Sequence, residues 1–171
     1  MKKLLTTCAL LAAAILLSLG ASATAARASA SSHCFTPAEA EAEQGIRIHS
    51  ELMVIGLNCR AMRFSDGTDL YTTYHKFTVQ NEKLFGNYEA TLINYYRRNG
   101  AKDPTAALDT LRTQIANKIA YDAIQMHPDQ FCNRYAGRVL KVGGMDQGSI
   151  RKWASTIYPG HPLSEPICPI K

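Results

Sequence analysis

Three prolines, Pro37, Pro104 and Pro128, each head an apolar pattern of helical period, and this recurrence constrains the fold more than any other feature of the chain. Proline suits the first helical position, where its missing N–H is no loss and its fixed φ is already helical, and it is disruptive further in. Thr36 precedes the first proline as candidate N-cap, and Glu39 follows the threonine by three residues, which makes a capping box. Glu39, Glu41 and Glu43 crowd the first turns, where the helix dipole favours negative charge. Ile48, Leu52, Ile55 and Cys59 then recur at helical spacing, so Cys59 falls on the buried stripe. Asp103 caps the helix that Pro104 opens, with Leu108, Leu111, Ile115 and Ile119 as its stripe. The segment from Pro128 places Phe131, Cys132, Tyr135 and Val139 on one face before Gly143 and Gly144 stop it.

Between the first two prolines, after a turn at "SDGTD", the pattern predicts one long helix from Leu70 to Arg98. Tyr71, Thr78, Phe85 and Leu92 form one row seven residues apart, and Tyr74, Asn81, Tyr88 and Tyr95 form a second row beside it. Such a seam either packs in a core or lines a ligand groove, because tyrosine has an apolar body and a polar tip. Asn81 is the odd member and reads as a polar contact that fixes register, since a buried amide needs partners. "SIRKWASTIY" suits a short helix carrying Trp153, and the proline-rich "PGHPLSEPICPIK" an extended tail. Neither a comparably strong strand pattern nor a repeat is visible. The expected fold is all-α: an antiparallel bundle of about four helices over residues 31–145, pinned by disulfides and followed by a short helix and tail over 146–171.

Ahead of all this, Lys2 and Lys3 precede an apolar stretch from Leu4 to Leu19 and then "GASATAARASA", with small-residue cleavage points after Ala23, Ala25 or Ala30. This is the pattern of a secretory signal peptide over residues 1–30, too short and wrongly flanked for a membrane anchor. The expected product is periplasmic or secreted, without a membrane span. Cys34, preceded by Ser-Ser-His, lacks the context for lipid attachment. The full chain has 19 basic and 14 acidic side chains, but Lys2, Lys3 and Arg27 would leave with the signal, and no acid would. The remaining excess of two positive charges, with only Arg97-Arg98 and Arg151-Lys152 as adjacent basic pairs, argues against a nucleic-acid partner. A mature chain of about 140 residues is enough for one domain with a real core.

Four cysteines remain after cleavage: Cys34, Cys59, Cys132 and Cys168. An even number in an exported chain is what a disulfide framework requires, and three pairings are possible. Cys59 and Cys132 face inward on core helices while Cys34 and Cys168 flank the bundle, which favours Cys59 with Cys132 and Cys34 with Cys168. Metal sites draw on close ligand pairs, and the nearest approach, His33-Cys34, is a poor chelate, so no metal or other cofactor is expected. A cysteine nucleophile needs an exposed thiolate and a histidine, which inward-facing cysteines do not offer. His75 and Glu82, two turns apart, need a third group between them to cooperate. His49 sits beside the first buried stripe, His127 at a helix start and His161 in the tail. Phosphate-cradle, nucleophile-elbow, dinucleotide and HExxH motifs are absent.

Taken together, "SELMVIGLNCR", "YHKF", "LINYYRRNG", "LDTLRTQIANKIA" and the later Phe131-Cys132 resemble an uncharacterised group of small, secreted, helical proteins of alphaproteobacterial type, over roughly residues 45–140. The resemblance implies that Cys59–Cys132 is the group's common bridge. It carries over no catalytic residue. Two functional classes remain open. One is a non-enzymatic binding or structural-interaction protein, monomeric or dimeric through the tyrosine seam, that meets an envelope protein or small ligand with Tyr74, Tyr88, Tyr95, Tyr96, Arg97 and Arg98. The other is a small secreted enzyme with an interhelical pocket around His75 and Arg97. Exposure of the tyrosines would favour the first, and convergence of His75 and Glu82 with another titratable group in a pocket would favour the second.

Overall fold

A computed structural model describes residues 33–64 and 66–169; the expected signal peptide lies outside them. Each of the three prolines heads a helix. The elements are α1 (Pro37–Asn58), α2 (Leu70–Gln80), α3 (Glu82–Arg98), α4 (Pro104–Gln125), α5 (Pro128–Val142) and α6 (Gln147–Ala154). The fold is all-α, and among the described residues extended pairing is limited to two isolated bridges, Phe35 with Ile167 and Arg63 with Asp69. At the start of α1 the capping box is complete: Thr36 Oγ1 accepts from the Glu39 N–H at 3.3 Å, and the Thr36 N–H donates to Glu39 Oε2 at 2.8 Å. Asp69, Asp103 and Asp146 cap α2, α4 and α6 in the same way, each accepting from a backbone N–H three residues on.

Two features differ from the sequence expectation. The long helix from Leu70 to Arg98 is broken at Asn81, whose backbone (φ −116°, ψ 16°) ends α2 and begins α3. The Asn81 side-chain amide donates to the Phe77 carbonyl at 2.9 Å, alongside the residue's own N–H at 3.2 Å. A short polar side chain that bonds the preceding turn competes with the helical ladder, and here it bends the chain. The break lets Phe77 and Phe85 meet edge to face at 5.5 Å. The second difference is arrangement. Rather than about four similar helices side by side, α1 runs through the middle and touches all five others. It is therefore buried almost all round, on its polar side as well as its apolar one: Glu43 is 0 % exposed, and Gln44, Arg47 and Ser50 are buried with it.

Close approach to α1 is sterically specified. A side chain at Gly45 would overlap the Tyr88 ring, and one at Gly56 would press on Tyr74 Cβ at 3.2 Å. Cys59, at the end of α1, pairs with Cys132 in the first turns of α5 (Cα–Cα 5.6 Å). Cys34, just before α1, pairs with Cys168 (Cα–Cα 5.0 Å). Phe35 sits between: its N–H donates to the Pro166 carbonyl at 2.8 Å, its carbonyl accepts from the Cys168 N–H at 2.9 Å, and its buried ring meets Tyr95 at 4.6 Å. The C-terminal segment is thus extended, as its prolines require, but it is docked along α1. Residues 146–169 belong to the same folded unit as the helices before them, with Ile150 and Ala154 of α6 in the shared core.

Candidate functional site

Most of the aromatic surface expected from the sequence is interior. Tyr74, Tyr88 and Tyr95 are buried, Tyr96 is half-buried, and only Tyr71 of the five is exposed. Each buried ring packs against α1 or its neighbours, and two of the phenol tips reach polar partners. The Tyr74 hydroxyl lies 3.3 Å from His49 Nε2, and the Tyr88 hydroxyl donates to Glu41 at 2.8 Å. Burial, with Glu43 nearby, pushes the Tyr96 phenol up to about 12. Arg98 is committed to Glu39 at 2.5 Å and lies over the Tyr95 ring, while Arg97 is exposed and bonds Asn94 at 2.6 Å. Tyr74, Tyr88, Tyr95, Tyr96, Arg97 and Arg98 therefore do not make one exposed face, and the buried rings of the seam pack within the chain. A row of tyrosines reads alike in sequence whether it faces a groove or another helix.

The pocket expected around His75 and Arg97 is not formed either. His75 lies on α2 beside Tyr71, with ring centroids 6.2 Å apart, whereas Arg97 lies at the far end of α3. His75, Glu82 and Arg97 are all exposed and line none of the clefts described below. The break at Asn81 puts His75 and Glu82 on different helices. Among the described residues no group of three or more His, Cys, Asp or Glu side chains is placed to hold a metal ion.

What the fold does build is a cleft of about 470 Å³ where α1, α5, α6 and the docked tail meet, a size within the usual range for small-molecule sites. Helical spacing explains its floor: Gln44, Arg47, Ile48 and Glu51 lie at i, i+3, i+4 and i+7 on one stripe of α1. Arg138 and Lys141 come from α5, three residues apart, Trp153 from α6, and Tyr158, Gly160 and His161 from the tail. Glu51 lies at the centre, paired with Arg138 Nη1 at 2.9 Å and with His161 Nδ1 at 3.0 Å. Arg47 donates through Nη2 to Glu43 at 3.0 Å and to the Pro162 carbonyl at 3.1 Å. Gln44 Nε2 donates to the His161 carbonyl at 2.8 Å, and Lys141 Nζ lies 5.2 Å from the centroid of the Trp153 ring. A smaller cleft of about 170 Å³, with Lys118, Asp122 and Tyr135, lies on the other side of the Glu51–Arg138–His161 cluster.

Four buried side-chain polar atoms of the described residues lack a hydrogen-bond partner, and two of them, Arg47 Nε and His161 Nδ1, belong to residues of this cleft. His161 Nδ1 is near Glu51 but poorly aligned with it. An unmet buried donor or acceptor costs about 1–3 kcal/mol, and both atoms are closed off from solvent, behind the wall of the cleft. His161 is the one imidazole in its lining, and no hydroxyl or thiol among the described residues hydrogen-bonds that ring.

Sequence reasoning missed this site although one signal for it was present. Gln44, Arg47 and Glu51 repeat at helical spacing along the edge of the apolar stripe of α1, and a polar row at such an edge normally meets water. Here the tail covers it. Comparison with protein-family models, with curated proteins and with solved structures finds no match to this chain.

Proposed function

We propose that this is a periplasmic or secreted, non-enzymatic binding protein that holds a small ligand in the cleft between α1, α5, α6 and the tail. The observation that carries this reading is the cleft itself, about 470 Å³ in volume, walled by three helices and the docked tail and lined by Arg47, Arg138, Lys141 and Trp153. Export is supported by the signal-like residues 1–30 and by two cysteine pairs at bridging distance, since disulfides persist outside the reducing cytosol. Among the described residues no helix is long and apolar enough to cross a membrane. Membership of the group of small secreted helical proteins that the sequence resembles belongs to the same proposal. An envelope protein contacting the cleft rim is the runner-up partner.

Native mass spectrometry of protein exported to and purified from a periplasm tests this directly. The expected spectrum shows a chain lacking its signal, four hydrogens lighter than the reduced form, with a small-molecule adduct. Gly160→Phe should abolish the adduct by placing a ring in the cleft that Gly160 lines, and the fold should tolerate it because a Cβ at this position meets no protein atom within 4 Å. An adduct retained equally by Gly160→Phe would move the site elsewhere. A bare chain, with a melting temperature indifferent to a panel of small metabolites, would count against a ligand-binding role.

A further inference from the structure

The charge pattern of the cleft narrows the ligand. Two of its three cations bring their own carboxylates: Glu43 sits against Arg47 at 3.0 Å, and Glu51 against Arg138 at 2.9 Å. Lys141 has no carboxylate partner among the described residues and rests instead against Trp153 at 5.2 Å. The cleft therefore offers an excess of about one positive charge, beside a flat aromatic wall and the apolar side chain of Ile48. Arg138 spends only Nη1 on Glu51, among the hydrogen bonds of the described residues. Arg138, whose guanidinium also lies over the Tyr135 ring at 5.0 Å, and Lys141 lie three residues apart on α5 and both line the cleft, so one anion can meet both.

We infer that the cleft takes a monoanionic carboxylic acid with a flat apolar body. Its carboxylate lies between Lys141 and Arg138, and its body lies along Trp153 and Ile48. This deepens the binding-protein reading and rests on it. A single excess charge matches a carboxylate. A phosphate, close to two negative charges at neutral pH, would bring more charge than the site offsets. A neutral ligand would gain nothing from the Lys141 charge. The tail wall, Tyr158 to His161, is held in place by the polar contacts to Gln44 and Arg47 and, beyond them, by the Cys34–Cys168 pair.

Trp153 is the single tryptophan of the chain and lines the cleft, so its emission reports occupancy without a label. The oxidised full-length mature protein is titrated with phenylacetate, its neutral isostere phenylacetamide, phenyl phosphate and inorganic phosphate. The expected result is a saturable change in Trp153 emission with phenylacetate, at a Kd about tenfold below those of the amide and the phosphate ester, and none with inorganic phosphate. Lys141→Met, which keeps the aliphatic stem of an exposed residue, should weaken phenylacetate about tenfold and bring acid and amide to equal affinity. Equal affinity of acid and amide for the wild type, preference for either phosphate, or no response to any probe would each overturn the inference. The adduct measured by native mass spectrometry decides the binding-protein reading separately, because it does not depend on what the ligand is.

Discussion

His49 shows how far one side chain departs from its free chemistry in this core. Its ring packs 4.7 Å from Phe85, and Nε2 lies 3.3 Å from the Tyr74 hydroxyl. Burial, with Arg112 adding repulsion, pulls the imidazole from its ordinary 6.5 down to about 4. In the unfolded chain the ring protonates near its ordinary value, so between those two pH values the unfolded state binds more protons than the folded one. Stability is then full above the ordinary value and is lost as pH falls toward the folded one, by up to about 3 kcal/mol for this group. Urea denaturation should therefore give a midpoint that falls on acidification from about pH 7 to about pH 5. His49→Leu should flatten that slope, and an unchanged slope would assign the acid sensitivity to other groups.

At the scale of elements, the α1–α3 contact depends on a missing side chain. Gly45 lets the Tyr88 ring lie directly on α1, where its hydroxyl reaches Glu41, an acid that also receives Arg151 from α6 at 3.1 Å. Gly45→Ala gains helix propensity but forces the ring out of place, with a net cost of about 1–3 kcal/mol expected from overpacking. Gly86, on α3, has open space around its absent Cβ. Gly86→Ala should instead be neutral or stabilise by up to about 1 kcal/mol. Urea melts of the two variants check the contrast, and equal effects would mean that α1 and α3 are not in close contact. The Asn81 break acts at this scale too. Seven-residue rows laid out as though one helix ran from Leu70 to Arg98 describe α3 well, with Phe85, Tyr88, Leu92 and Tyr95 all buried, but place Tyr71 in the core when it is exposed.

For the whole molecule, the two cysteine pairs constrain the chain in different ways. The loops they close span 73 and 134 residues, and in the chain-entropy model each stabilises by roughly 4 to 5 kcal/mol. Removal of Cys59–Cys132 by serine substitution should lower protection across the whole core, because it joins the central helix to α5. Removal of Cys34–Cys168 frees the chain at the place where the tail is latched. Hydrogen exchange should then rise first in residues 156–169 and at Phe35, with the centres of α1 and α3 still protected. Uniform loss of protection in both variants would show that tail and helices unfold as one unit.

The sequence alone determined the helix starts at Pro37, Pro104 and Pro128, the capping box at Thr36 and Glu39, the buried stripes and the inward placement of Cys59 and Cys132. Each of these rests on interactions within about one or two helical turns, so the residues that decide them are neighbours along the chain. Asn81 marks the edge of that reach: its polarity within a buried row was legible, but the break was not, because register contact and helix break make the same local request for a partner. Burial of the tyrosines, docking of the tail and assembly of the cleft were decided only by the tertiary structure. Ser164 lies 121 residues from the Glu43 carboxylate to which its N–H donates at 2.9 Å, and Arg138 lies 87 residues from Glu51. No periodicity carries such separations. The polar row of α1 became the floor of a cleft because a proline-rich segment, unable to form a helix, folded back over it and was held there by side chains that sequence reading assigns to solvent.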